Sequence, residues 1–374
     1  MPYNIPLFRL NYNDDEKKAI LDVIDSKWLS MGEKTSLLEQ EFCKLLPSPY
    51  ALAVTNCTAA LHMAMILENI GLGDEVIVPS LTFVATANAV RYVGATPVFC
   101  DVSSIENLTI SPDAVREAIT EKTKAVIVMH YAGFGCDMQA IKAICGEYGV
   151  SIIEDACHGP FSMYKGEALG TIGTIGCFSF FSNKNISCGE GGLMTFKKEE
   201  DYNKAKLLRS HGMTTLSYER SKGHSTEYDV VDLGYNYRMD DLRSCLVLEQ
   251  IKKISSDYEK RKNVRNLYIS LLSHIKGIVI PFVDRTERVS NYIFPIVLKE
   301  HDRNAVRNYL QQKGIQTSIH YPAVHRFAVY SGSGAYLPVT EYVADNLITL
   351  PMYGDLSEEE IAYISNCLKE ALAG

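Results

Sequence analysis

No apolar run in this 374-residue chain is long enough to span a bilayer, and its start, Met1-Pro2-Tyr3-Asn4-Ile5-Pro6, has no basic segment followed by an apolar stretch. The expectation is a soluble, cytoplasmic protein with no membrane partner. A long basic run is missing too. With 37 basic residues against 45 acidic ones, a formal charge of -8 and a pI near 5.7, nothing stands ready to neutralise a phosphate backbone, which argues against nucleic acid. Ten cysteines are present but no Cys-x-x-Cys pair. Many lie in apolar segments such as Ile141 to Cys145 and Gly176 to Phe181, so they read as neutral thiols in a reducing compartment. The chain also lacks a Gly-x-Gly-x-x-Gly turn between its first strand and helix, the mark of a nicotinamide-dependent oxidoreductase. Tandem repeats, low-complexity tracts and heptads are absent as well.

What the chain has is length and alternation. It can bury a sizeable core and make two domains, or one large domain with an appendage. From Leu52 to about Asp155, short β-branched runs alternate with helix-like stretches, the pattern of parallel strands joined by crossover helices. Strands are expected at Glu75 to Pro79, Thr96 to Val102, Ala125 to His130 and Ser151 to Asp155, with helices at Thr86 to Val93 and Met138 to Glu147. The runs Cys177 to Phe181 and Gly192 to Phe196 leave no room for a crossover helix and predict a hairpin. Helices follow at Lys198 to Arg209 and, as a long connector, at Asp240 to Leu271, with a polar loop from Ser217 to Glu227 between them. Strands at Tyr292 to Leu298 and Gln316 to His320, with helices at Asp302 to Lys313 and Ser357 to Leu372, suit a smaller α+β domain. The expected division is residues 1–250 and 251–374.

Lys184 is the most informative residue. It follows the aromatic strand Phe178-Ser179-Phe180-Phe181 and precedes Gly189-Glu190-Gly191-Gly192, whereas most lysines are solvated surface groups. The apolar run ending in Glu154-Asp155-Ala156-Cys157-His158 brings a carboxylate and an imidazole past a second strand end. A lysine and an acid so placed suggest a pyridoxal phosphate (PLP) site. That cofactor needs a lysine for its Schiff base and an acidic partner to keep its pyridine nitrogen protonated. The amine must shed its proton near neutral pH, and desolvation beside a cationic ring nitrogen would push it that way. Thr55-Asn56-Cys57-Thr58 joins a strand to a helix, a natural phosphate seat, although alone it is an ordinary N-cap. Phe83 follows another strand and could offer a ring face, or be a core residue. His158 is close enough to Asp155 to share the pocket. His320-Tyr321-Pro322 and His325-Arg326 could face the cleft; no carboxylate at suitable spacing supports a metal there.

With these segments in place, the chain resembles the PLP-dependent nucleotide-sugar aminotransferases of the DegT/DnrJ/StrS type, in the aspartate aminotransferase superfamily. The resemblance runs from about Pro6 to the last helix and is carried by Asn56 to His62, Glu154-Asp155-Ala156, Phe178 to Lys184, Gly189 to Gly192, Gly234-Tyr235-Asn236-Tyr237-Arg238-Met239 and His320-Tyr321-Pro322. It implies a type I PLP-dependent transferase fold: a large domain with a mixed, mostly parallel sheet and an N-terminal arm, followed by a linking helix and a smaller C-terminal α+β domain. Lys184 would form the Schiff base and Asp155 would pair with the pyridinium nitrogen. Phe83 would stack on the ring, Ser179 and the Cys57-Thr58 backbone would hold the phosphate, and His158 would lie near the phenolic oxygen. Asn236 would reach the cofactor phosphate of a neighbouring subunit, which makes a homodimer with shared sites. Arg238, His211, His320 and Tyr321 are candidates for the sugar or its diphosphate, and Arg326 is a further basic group for the diphosphate. The chain departs from many relatives at Cys57, where they have glycine, and at His158, where they have glutamine.

The expected reaction takes an amino group from L-glutamate, releases 2-oxoglutarate and aminates C-4 of a UDP- or dTDP-linked 4-keto-6-deoxy sugar for surface polysaccharide or related glycan synthesis, such as lipopolysaccharide O-antigen. The alternatives are amination at C-3, a PLP-dependent sugar dehydration and a non-catalytic binding protein. Relatives that dehydrate carry histidine in place of the lysine, so Lys184 argues against dehydration. An intact lysine and aspartate argue against loss of turnover.

Overall fold

The computed structural model describes residues 3–215 and 227–373; the loop expected at Ser217 to Glu227 lies outside the described residues except for Glu227 itself. Helices α1 (Asp14–Asp25) and α2 (Glu33–Leu45) lead into strand β1 (Tyr50–Val54) and helix α3 (Cys57–Leu67). There follow β2 (Glu75–Pro79), α4 (Ala85–Tyr92), β3 (Thr96–Cys100), α5 (Pro112–Ala118), β4 (Thr123–Met129), α6 (Met138–Tyr148) and β5 (Ser151–Asp155). After the two-stranded ribbon β6 (Met163–Tyr164) and β7 (Glu167–Ala168) come β8 (Ile175–Ser179), β9 (Gly192–Phe196) and α7 (Glu199–Arg209).

Seven of these strands form one sheet in the order β1-β9-β8-β5-β4-β2-β3. Strand β9 runs antiparallel to both neighbours, and the pairs among β8, β5, β4, β2 and β3 are parallel. The expected hairpin is therefore β8–β9, with β1 added on its far side. Both faces are covered, which is why the strands read as nearly continuous apolar runs. Leu52 and Val54 of β1 pack on one side with Met63 and Met65 of α3, while Ala51 and Ala53 pack on the other with Phe42 of α2. The two-residue alternation along the strand divides the cores.

The 32-residue helix α8 (Asp241–Leu272) begins at an Asp240 cap that accepts the Arg243 N–H at 2.8 Å. It packs on α1 and α2 at its start, so the division expected at residue 250 falls inside it. Beyond it, β10 (Ile278–Val279), β11 (Phe294–Leu298) and β12 (Leu347–Leu350) make a three-stranded antiparallel sheet with helices α9 (Arg303–Gln312), α10 (Pro338–Asn346) and α11 (Glu358–Ala373). Tyr268 at the end of α8 joins the core of this second unit with Phe294, Leu310, Ile348 and Ile364. The strand expected at Gln316 to His320 does not form. That stretch makes only isolated bridges: Ile315 at its edge pairs with Ile5 of the N-terminal arm and Ser318 with Thr349. Its backbone is shared between the arm and β12, and no continuous ladder results. Among the described residues, no helix is long and apolar enough to cross a membrane.

Candidate active site

Parallel strands end on one edge of a sheet, and the crevice outside those ends is where such sheets bind ligands. The register gathers the expected residues there. Gly192 stands opposite both Val54 and Ser179, and Asp155 opposite both Met129 and Cys177. The loops leaving β1, β2, β5 and β8 thus enclose a cavity of about 470 Å³, lined among others by Cys57, Thr58, Phe83, Asp155, Ser179, Lys184, His320 and Tyr321. Surface grooves of about 580 and 660 Å³ are larger, but neither brings a lysine and a buried carboxylate to the end of a central strand.

The seat at the start of α3 follows from its cap. The Asn56 side chain accepts the Ala59 N–H at 2.8 Å, and the Asn56 carbonyl accepts from Ala60. As the first two residues of the helix, Cys57 and Thr58 have no intrahelical partner for their own N–H groups, and these meet the positive end of the helix dipole on the cavity wall. Gly192 makes the seat possible. A Cβ at that position would lie 2.5 Å from the Asn56 carbonyl carbon and 2.7 Å from the Cys57 nitrogen. Ser179, the last residue of β8, lines the same wall.

Asp155, at the end of β5, is 3 % exposed and accepts the Thr86 hydroxyl at 2.9 Å and the Cys157 N–H at 3.3 Å. Lys184 Nζ lies 4.2 Å from the centre of the Tyr292 ring. Burial acts to lower the Lys184 pKa, but Tyr292, Cys157 and Asp155 around the amine outweigh it and hold the pKa above the ordinary lysine value. The expected push toward the neutral amine is thus not met by this chain alone; the cationic ring nitrogen included in that expectation belongs to the cofactor. The neighbouring thiols do not compete as nucleophiles. Burial first, and then Asp155, pushes the pKa of Cys57 and Cys157 well above the usual thiol value.

His158 does not line the cavity. It is fully buried, accepts the Ala132 N–H on Nδ1 at 3.2 Å, and therefore carries its proton on Nε2, which is 2.8 Å from the Tyr321 hydroxyl. Its action on a bound group passes through Tyr321, whose own hydrogen remains available to the cavity that it lines. Burial, then Lys184 and His320, hold the His158 pKa well below the usual imidazole value. His320 pairs through Nδ1 with the Thr349 hydroxyl at 3.0 Å, and its pKa is lowered to about 4 by burial and Lys184. Phe83 is 57 % exposed at the rim, its ring centre 6.1 Å from that of Tyr321.

Three expected residues lie off the cavity wall. Asn236 is exposed and bridges to Ser210, Arg238 bridges to Val54, and exposed His211 donates its backbone N–H to Tyr235 O. Their segment still abuts the seat, because Tyr237 O accepts the Thr55 N–H at 2.8 Å. His325 and Arg326 face away from the cleft: His325 bonds Ser80 and Glu341, while Arg326 pairs with Asp345 and Glu341. Thr86 and Tyr292, polar residues of the wall, went unread as site residues in the sequence. Thr86 had a signal, since it stands one helical turn after Phe83. Tyr292 had none, because it returns from the second unit.

The residues fit PLP. A seat with unpaired N–H groups, a buried carboxylate and a lysine share one cavity, and the buried Asn183 Oδ1 on its wall has no partner in the protein, as expected where a polar group binds.

The chain belongs to the DegT/DnrJ/EryC1/StrS aminotransferase family, whose profile matches residues 11–369. It is 33% identical over 384 residues to the spore coat polysaccharide biosynthesis protein SpsC of Bacillus subtilis, covering 100% of this chain and 97% of SpsC. Among solved structures it resembles Spr1654 from Streptococcus pneumoniae in its PMP form, with a TM-score of 0.93 at 29% identity over 98% of this chain and 99% of that one. It also resembles PseC from Helicobacter pylori, an aminotransferase involved in the biosynthesis of pseudoaminic acid, with a TM-score of 0.92 at 26% identity over 99% of both chains. The protein is a PLP-dependent aminotransferase of fold type I.

Proposed function

We propose that the protein moves the amino group of L-glutamate to C-4 of a 4-keto-6-deoxy sugar carried on UDP or dTDP, in a cytoplasmic step of surface polysaccharide or related glycan synthesis. The observation that carries the reading is the convergence of Lys184, Asp155 and the Cys57–Thr58 seat in one cavity. The sugar is supported by SpsC and PseC, whose names tie them to polysaccharide and to pseudoaminic acid.

When bound, PLP supplies an electron sink for the carbon that loses its proton. The chain's residues do the rest. The N–H groups of Cys57 and Thr58, with Ser179, seat the phosphate. Asp155, fixed by Thr86, presents a carboxylate to the pyridine nitrogen. Phe83 offers a ring face at the rim, and Tyr321, oriented by His158, a hydroxyl. Lys184 anchors the cofactor and, once released, takes a proton from the glutamate carbon in one half-reaction and returns one to the sugar carbon in the other. His320 on the wall, with Arg238 and His211 beside the seat, are assigned to the nucleotide sugar.

A second copy of the chain completes the site in this reading. Asn236 is exposed and does not line its own cavity, and the nearby Val230, Val231 and Leu233 are 54 %, 55 % and 80 % exposed, apolar surface that a partner would cover. The deciding experiment is the absorbance spectrum with PLP and then L-glutamate, followed by assay with UDP- and dTDP-linked 4-keto sugars. The wild type should form the bound-cofactor band and convert it. Lys184→Ala should form no such band and lose at least the roughly 10²–10⁴-fold that positioned proton transfer supplies. Substantial transamination by Lys184→Ala would refute the assignment.

A further inference from the structure

We propose that Tyr292 is the positioning residue of Lys184: its ring face holds the Lys184 ammonium, so that the amine keeps one place on the cavity wall whenever it carries a proton. The inference deepens the reading above and rests on Lys184 being the anchoring lysine.

Geometry carries it. Nζ stands 4.2 Å from the ring centre, and Tyr292 is 4 % exposed. The ring is buried and its segment is tied down. The Tyr292 N–H donates to Ala132 O at 3.2 Å, the Ser290 N–H to Ser162 Oγ at 2.9 Å, and the His158 ring packs on Tyr292 with centres 4.3 Å apart. The segment is also latched to the lysine's own loop, because Asn185, next to Lys184, donates its side-chain amide to Ser290 O at 2.9 Å. Two stretches far apart in sequence are thus held in one register, with the amine of one over the ring of the other.

The Tyr292 hydroxyl also interacts with the amine, and the other groups facing it leave the task of holding it to Tyr292. Asp155 already takes the Thr86 hydroxyl and the Cys157 N–H, and its charge is assigned to the cofactor nitrogen. Cys57 and Cys157 are protonated thiols, and His158 and His320 are neutral imidazoles that repel no cation but attract none. Glu190 also stands on the cavity wall. A desolvated ring face under an ammonium favours the charged form, by an amount equivalent to about one pKa unit, or roughly tenfold.

The test uses the full chain freed of PLP and follows the rate of PLP capture against pH at the bound-cofactor band. Capture needs the unprotonated amine, so its pH midpoint reports on Lys184. Tyr292→Leu should lower that midpoint by about one unit and speed capture roughly tenfold below it. Tyr292→Phe, which keeps the ring, should stay nearer the wild type than the leucine variant. An unchanged midpoint in Tyr292→Leu, or a fall in Tyr292→Phe as large as in Tyr292→Leu, would overturn the proposal. A purely structural loss would slow capture at every pH and leave the midpoint in place. If the leucine variant fails to fold, Tyr292→Met removes the ring at similar volume under the same criterion. Lys184→Ala separates the two readings: capture at the same band without Lys184 sinks the anchoring assignment, whereas silence there with an unmoved Tyr292→Leu midpoint sinks only the role of Tyr292.

Discussion

Glu154 and Asp155 are adjacent on β5, and their carboxylates face different tasks. Asp155 borders the cavity, while Glu154 is buried away from it and accepts from His130 at 2.8 Å and from the Gly170, Ile172 and Gly173 N–H groups at 2.8, 2.6 and 2.5 Å. Burial would raise its pKa, but His130 and these N–H groups outweigh that and hold it below the usual carboxylate value. Glu154 is a structural anchor for the turn after β7, and one step along the strand separates it from chemistry. The histidines near Lys184 give a prediction with a definite sign. His158 and His320 are neutral in the folded protein, the second with a pKa near 4, while an unfolded chain protonates them at about 6.5. Their folded values lie below the unfolded ones, so the unfolded state binds the extra protons as pH falls. Their contribution to stability is complete above about pH 6.5 and is lost toward pH 4, at up to about 1.4 kcal/mol per pH unit for each histidine. Urea unfolding of the PLP-free chain at pH 7.5 and 5.5 should show that decline, and His320→Gln should make it shallower. An equal slope in the two proteins would contradict the assignment.

At the scale of elements, the site depends on how closely β9 approaches the start of α3. Gly192→Ala would put a methyl group 2.5 to 2.7 Å from the Asn56 carbonyl and the Cys57 nitrogen, backbone atoms that cannot rotate away. The expected loss is about 1–3 kcal/mol of stability together with weakened PLP binding, measured by thermal melting and PLP titration. Gly189, at φ +87° with open space where its Cβ would go, is constrained by conformation instead, so its alanine variant should lose stability without the same loss of phosphate seating. An unimpaired PLP affinity in Gly192→Ala would remove the steric account of the seat. The elements around this contact were legible because each is local. Glu75–Pro79, Ser151–Asp155 and Gly192–Phe196 are strands where the apolar runs say so, and Lys184 and Asp155 stand where strand ends deliver them. The sequence says less where partners are distant. Gln316 to His320 has strand-like residues, but its backbone is divided between the N-terminal arm and Thr349. His158 has the spacing of a pocket residue, but the Ala132 N–H and Tyr321 draw it behind the wall.

For the whole molecule, the long helix α8 joins two cores, and the second returns Tyr292, His320 and Tyr321 to the strand ends of the first. One chain therefore brings Lys184, Asp155, Cys57, Thr58, Tyr292 and Tyr321 to one cavity. It leaves Asn236 outside its own cavity, in an exposed segment beside the apolar Val230, Val231 and Leu233. If the site is shared across a two-fold axis, two differently disabled chains will repair each other. Lys184→Ala inactivates the site to which its own chain gives the lysine, and Asn236→Ala weakens the site to which its chain gives the amide. In a mixed dimer, the intact lysine and the intact asparagine meet in one of the two sites. After random reassortment, half of the dimers are mixed, so activity should recover to about a quarter of the wild-type value from two preparations that are each impaired alone. Mixing the variants after mild dissociation and reassociation, with transamination from L-glutamate as the readout, checks this. Activity that stays at the average of the two separate preparations, while labelled chains are shown to have exchanged, would place Asn236 outside the partner's site and make each chain's cavity self-sufficient.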